Sequence, residues 1–186
     1  FDQVSLQEAL LRMLVFWAEK GVDGFRCDVA SLVPVSFWEK ARSMCRRINS
    51  SFLMLAESVD MECLLEQRSK GRVAMSDGEL ARAFDDLYPY SIRREFEAAL
   101  RKKELPAYES AVNHLVASLP EEVNEVWYLE NHDRPRIYKQ LRENRSRALN
   151  WLAYSFLMPG TAFVYNGQET WTVHTPQLFE RDPIDW

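Results

Sequence analysis

Cysteine, glycine and net positive charge are all in short supply in this sequence. The three cysteines, Cys27, Cys45 and Cys63, form no C-x-x-C pair. This odd count argues against a disulfide framework or a cysteine zinc site and makes buried free thiols the expected state. Only 6 glycines occur in 186 residues, and no Gly-rich loop follows a candidate strand. A phosphate-cradling turn therefore has no local support. Lys and Arg number 23 against 28 Asp and Glu, a net charge of −5, which is the wrong sign for a protein that tracks a phosphate backbone. No apolar run approaches the roughly 18 residues of a membrane span, and the best candidate, residues 151–164, is cut by Pro159 and Gly160. Neither nucleic acid nor a membrane is an expected partner.

What is present is apolar: 47% hydrophobic residues and 12% aromatic, enough for a sizeable core and outside the composition of disordered chains. Leu6, Leu10, Met13, Leu14 and Trp17 recur at helical spacing behind a Ser5/Glu8 capping box, and Gly21 ends the helix. Residues 22–29 then read as a strand whose charges gather at its end. A second helix follows Pro34, with a Ser36/Glu39 capping box and Phe37, Ala41, Cys45 and Ile48 facing inward. The unit repeats: a strand over 52–56 ending in Glu57, a helix over 60–70, a third strand over 83–87 with 73–75 as the other candidate across an Asp77-Gly78 turn, helices over 91–103 and 107–119, a strand over 123–129 running into Glu130-Asn131-His132-Asp133, a helix over 146–158, and a last strand over 161–165.

Short buried strands alternating with amphipathic helices predict a parallel sheet with helical crossovers, an α/β fold. The polar clusters sit at the C-terminal ends of several different strands, as a (β/α)8 TIM barrel active site requires. A full barrel takes roughly 250 residues and eight strands, whereas five strands are read here. The expectation is a partial barrel. Residues 1–186 form a single incomplete domain without a second one, whose exposed sheet edges favour self-association.

Asp28, Glu57 and Asp133 each end a strand. Singly, such an acid is usually a helix cap or a surface charge. Together they suit glycoside hydrolysis, in which one carboxylic acid protonates the leaving oxygen and a carboxylate on the other side of the sugar attacks the anomeric carbon. Their flanks are Gly24-Phe25-Arg26-Cys27-Asp28, Leu55-Ala56-Glu57 and Asn131-His132-Asp133, with Val164-Tyr165-Asn166-Gly167-Gln168-Glu169 closing the chain. In this order the motifs resemble the α-amylase superfamily, glycoside hydrolase family 13, over roughly strands four to eight of its barrel.

The resemblance implies an α-glucan or maltooligosaccharide substrate and a retaining mechanism. Asp28 would be the nucleophile, kept ionised by Arg26, and Glu57 the general acid and then base. Asp133 would bind the distorted sugar with help from His132 and Asn131. It also implies that the first family motif, which often helps hold calcium, precedes Phe1. Any calcium then belongs to a full-length parent; none is expected in this chain, nor any other cofactor. Tyr88, Tyr90 and Trp127 are candidates for stacking on sugar rings or, equally, for core packing. Arg136 reads as a structural ion-pair partner, and His114 and His174 as surface residues. Two departures stand out: Ser31-Leu32 where many α-amylases carry Lys-His, and Ser58 where a Trp often follows the acid. The alternatives are a family transglycosylase and a retired amylase-like barrel serving as an interaction domain. A retired site would not need Arg26, Asp28, Glu57, His132 and Asp133 together, yet all five are present. The half-site alone is expected to be inactive.

Overall fold

The computed structural model describes residues 3–102 and 104–186. The strands β1 (Gly24–Cys27), β2 (Leu53–Ala56), β3 (Asp86–Leu87), β4 (Asn124–Trp127) and β5 (Thr161–Ala162) form one sheet in sequential order. Every neighbouring pair is parallel. The crossovers carry α1 (Val4–Glu19) before the sheet, then α2 (Val35–Ile48), α3 (Met61–Ser69), α4 (Asp77–Leu80), α5 (Arg93–Lys102), α6 (Leu105–Ser118), α7 (Ile137–Gln140) and α8 (Arg145–Leu157). This is the predicted partial-barrel order, with shorter strands than the sequence suggested. Lys103, the expected end of the helix from Ser91, lies outside the described residues.

Alternation along the strands assigns the two faces of the sheet. Cys27, Met54 and Ala56 are buried against Phe37, Trp38, Ala41 and Cys45 of α2, whereas Leu53, one residue out of phase, is 47% exposed on the opposite side. The backbones of β1 and β2 lie so close that a Cβ on Gly24 would stand 2.6 Å from the Leu53 carbonyl oxygen. At the lower end, the Asp85 carboxylate ties three elements together. It accepts from Arg42 and Arg46 of α2 at 2.5 and 2.7 Å and from the Met54 amide at 2.9 Å.

Three local expectations are corrected. The Ser5/Glu8 and Ser36/Glu39 boxes do not form, because each helix starts earlier, with Gln3 and Pro34 at the N-caps, leaving both serines inside the first turn. Glu39 pairs instead with Arg82, and the capping box that does form is Ser76/Glu79 on α4. The apolar residues of α1 divide: Leu10 and Leu14 pack on the core beside buried Leu11 and Ala18, while Leu6, Met13 and Trp17 are exposed. Ile48 is likewise exposed. Of the thiols, Cys27 and Cys45 are buried as expected and Cys63 is half-buried.

Glu125 on β4 is a cost built into this core. It is buried, and neither carboxylate oxygen has a hydrogen-bond partner among the described residues. Burial, with the charges of Asp77 and Asp86 added, pushes its pKa up to about 9. A carboxyl raised in the folded state stabilises the fold fully below the ordinary carboxylate range, and that contribution fades as pH climbs toward the raised value. Glu125→Gln keeps the shape and removes the titration. It is expected to raise Tm by several degrees at about pH 8 and to change it little at about pH 4. Thermal unfolding at both pH values checks this, and an unchanged Tm at the higher pH would contradict it.

Candidate active site

Parallel register brings the first two acids together. Cys27 pairs with Ala56, so Asp28 and Glu57 are the next residues on adjacent strands, roughly 4.8 Å apart in backbone spacing. The backbone continues the ladder beyond the sheet: the Glu57 amide donates to the Cys27 carbonyl at 2.9 Å, and the Ala30 amide to the Glu57 carbonyl at 2.8 Å. Between them Val29 adopts φ 45°, a left-handed conformation that is costly for a β-branched residue. That turn aims the Val29 amide at Glu57 Oε2, 3.0 Å away.

Arg26, two residues before Asp28 on the same face, spans both acids. Its Nη1 lies 2.5 Å from Asp28 Oδ1 and its Nη2 lies 2.6 Å from Glu57 Oε1. The acids nonetheless occupy different environments. The Asp28 side chain is 73% exposed and that of Glu57 only 10%. The hydrogen bond from Arg26 holds Asp28 below the ordinary carboxylate range, with His132 adding to the effect. Burial holds Glu57 above that range against the pull of the Val29 amide and Arg26, and the neighbouring Asp28 carboxylate pushes the same way as burial. The two carboxyls are thus biased in opposite directions, Asp28 toward the ionised form and Glu57 toward the protonated one.

The third acid sits on a braced turn after β4. Asn131 Oδ1 accepts from the Asp133 amide at 3.0 Å, and the Asn131 carbonyl from the Arg134 amide at 3.1 Å. His132 Nε2 lies 3.2 Å from Asp133 Oδ2, both side chains being open to solvent. Behind the turn is a buried ion pair, Arg136 Nη1 to Glu130 Oε1 at 2.7 Å, with the Arg136 side chain 0% exposed. Arg136 Nη1 also donates to the Asn166 carbonyl at 2.9 Å, and its Nε to the His174 carbonyl at 2.7 Å. Its guanidinium lies 4.8 Å from the Tyr165 ring centre. The ion pair read from the sequence therefore pins the turn after β4 to the segment after β5. His174 is more than a surface residue, since its ring meets Asp182 at 2.8 Å and closes that segment on itself. His114 is exposed on α6.

The aromatic candidates divide. Tyr88 and Tyr90 stack at 5.5 Å beside the acids and are joined by Tyr128 and Phe163, each at a strand end. Those last two carried no motif and were missed, although the alternation of β4 and β5 could have placed them. Trp127 is no sugar platform. It is 3% exposed, on the helix side of the sheet, and its Nε1 donates to the Pro159 carbonyl at 2.6 Å. A groove of about 960 Å³ between α6 and α8, lined by Tyr108, Val112, Trp151 and Tyr154, contains none of the acids.

Arg26, Asp28, Glu57, Asn131, His132 and Asp133 thus all follow or end strands at the C-terminal edge of one sequential parallel sheet. The family model for the alpha amylase catalytic domain matches residues 1–182. The chain belongs to the alpha-amylase family. The alpha-amylase MalA of Haloarcula japonica is 30% identical over all of this chain, which covers 25% of that protein. An alpha-amylase of Lactobacillus plantarum superposes with a TM-score of 0.91 at 35% identity, over 96% of this chain and 42% of the other. A maltogenic alpha-amylase, AmyB, of Thermotoga neapolitana gives 0.81 at 29% identity, over 98% of this chain and 39% of its own. The chain therefore spans less than half the length of these amylases, which agrees with a partial TIM barrel.

Among the described residues no group of three or more His, Cys, Asp and Glu side chains is placed to hold a metal ion, so no step below runs through one. Nor, among those residues, is any helix long and apolar enough to cross a membrane.

Proposed function

We infer that this chain carries the reacting carboxyls of a retaining glycoside hydrolase acting on α-glucosidic bonds of starch-like or maltooligosaccharide substrates, and that barrel strands outside this chain complete the site. The observation that carries this reading is the split between Asp28 and Glu57, two neighbouring acids held by one guanidinium yet biased to opposite protonation states. Such a split is how paired carboxyls divide nucleophilic and acid roles.

The chemistry follows from those states. Asp28 attacks the anomeric carbon while Glu57 gives its proton to the departing glycosidic oxygen, so that a glycosyl ester forms on Asp28 as the C–O bond breaks. Glu57, now ionised, takes a proton from an incoming water whose oxygen attacks the same carbon, releasing Asp28 and a sugar of the original α configuration. Asp133, with His132 beside it, binds hydroxyls of the distorted ring. If a sugar hydroxyl replaces water in the second step, the product is a transglycosylation product. Of the residues that depart from the family pattern here, only Leu32 is exposed enough to meet that acceptor, because Ser31 and Ser58 are buried and bonded to the Val59 amide and the Tyr88 carbonyl.

NMR product analysis on maltoheptaose tests the reading. The full-length parent is expected to release α-anomers first, while this chain alone turns over nothing. β-anomers from the parent, or no cleavage at all, would overturn it, and the second result would favour a retired barrel. Self-association is part of the same proposal. β1 and β5 each leave one strand edge without a neighbour, and Leu6, Met13, Phe16 and Trp17 on α1 are exposed. Light scattering after size exclusion is expected to show species larger than 21.8 kDa. A single monomeric peak across concentrations would refute this.

A further inference from the structure

Tyr90 entered as a stacking candidate, but the structure gives it a polar task. Its Oη accepts from Asn131 Nδ2 at 3.0 Å, and the other end of the same amide accepts from the Asp133 backbone at 3.0 Å. A two-bond relay therefore runs from the loop after β3 to the turn after β4. Tyr90 is itself immobilised by Tyr88, stacked at 5.5 Å and 21°, and by Tyr128, edge-on at 5.6 Å and 68°. Its phenol feels the charges of both Glu57 and Asp133, and burial above all pushes its pKa up to about 12. The hydroxyl stays protonated at any working pH. Having accepted from Asn131, it keeps one O–H, for which the described residues supply no acceptor in the structure.

We propose that Tyr90 is a positioning residue of this site: through Asn131 it sets the turn that presents His132 and Asp133, and its free O–H donates to a hydroxyl of the bound sugar between Glu57 and Asp133. The first half stands on this chain's own geometry, and the second rests on the glycoside-hydrolase reading above. Asp133 on its exposed turn has few other restraints. Arg134 Nη1 to Glu97 at 3.1 Å and the Glu130–Arg136 pair hold the flanks, but only Asn131 reaches the Asp133 amide among the bonds described.

The test separates the two halves. Tyr90→Phe keeps the ring and its stacking and deletes one oxygen. Amide exchange followed by NMR on this chain is expected to show the Asp133 amide opening about 10-fold faster, the size of one lost hydrogen bond, together with a shift of the Asn131 side-chain amide signals. Tyr108→Phe, which removes a phenol buried between α6 and α8, should leave both where they were. An unchanged Asp133 amide in Tyr90→Phe would overturn the positioning role. In the full-length parent on maltoheptaose, Tyr90→Phe is expected to lower kcat about 10-fold while KM moves less than about twofold, as a transition-state contact does. A KM change of equal size would overturn the assignment of Tyr90 to the reacting sugar. A wild-type parent that cleaves nothing would remove the glycosidase reading and the sugar contact with it, while the exchange result still decides the positioning role.

Discussion

Asp28→Asn is expected to lower kcat of the full-length parent on maltoheptaose by about 10⁴-fold or more, because the amide cannot form the glycosyl ester and the remaining binding contacts cannot replace that step. The substitution is nearly isosteric, and the Asp28 side chain is 73% exposed, so the fold should be untouched. Circular dichroism and Tm should match wild type. The pH profile of the unmodified enzyme belongs to the same prediction. The productive state has Asp28 ionised and Glu57 protonated, so the rate rises as pH passes the depressed Asp28 value and falls as it passes the raised Glu57 value. Substantial residual turnover in Asp28→Asn, or a rate that keeps climbing through the alkaline range, would refute the assignment.

Arg136→Met is expected to destabilise the chain by about 3–5 kcal/mol, the cost of leaving one partner of a buried pair behind. Arg136 is wholly buried and Glu130 nearly so. Without the guanidinium, the carbonyls of Asn166 and His174 lose their donor, and Glu130 keeps only the Ile137 amide. Chemical denaturation measures the loss, and a value under about 1 kcal/mol would place the pair among those that contribute nothing net. Arg136→Met/Glu130→Leu, which removes both partners, should recover much of the loss even though it adds a second change, because it removes the stranded charge.

How far the sequence could be read depends on how local the cause was. The placement of Asp28, Glu57 and Asp133 was legible because each follows a strand within a short motif, and parallel register does the rest by carrying the strand ends to one edge. The order of strands was legible for the same reason. Which part of the α1 stripe is covered was not legible, because periodicity says which side chains share a face but not where another element stops: Leu10 and Leu14 pack on the core, while Leu6, Met13 and Trp17 stay exposed. The capping boxes failed by one or two residues of register, a shift that leaves the pattern intact and the hydroxyl out of place. For Trp127 stacking and core packing were equally open, and one step of alternation decides for the core. The Glu125 carboxyl and the clasp of His174 on Asp182 had no signal at all, since the first is an absence of any hydrogen bond among the described residues and the second depends on how an irregular segment folds back on itself.

The single guanidinium shared by Asp28 and Glu57 constrains how this site could ever be retuned. Arg26 lowers the proton affinity of both carboxyls. Weakening it therefore shifts both limbs of the expected activity profile upward, the Asp28 limb further because the Arg26 hydrogen bond is the largest influence on that acid, so the window narrows as it climbs. An adaptation to alkaline surroundings could begin at position 26, whereas a broader working range would have to come from residues that touch only one acid, such as the Val29 turn behind Glu57.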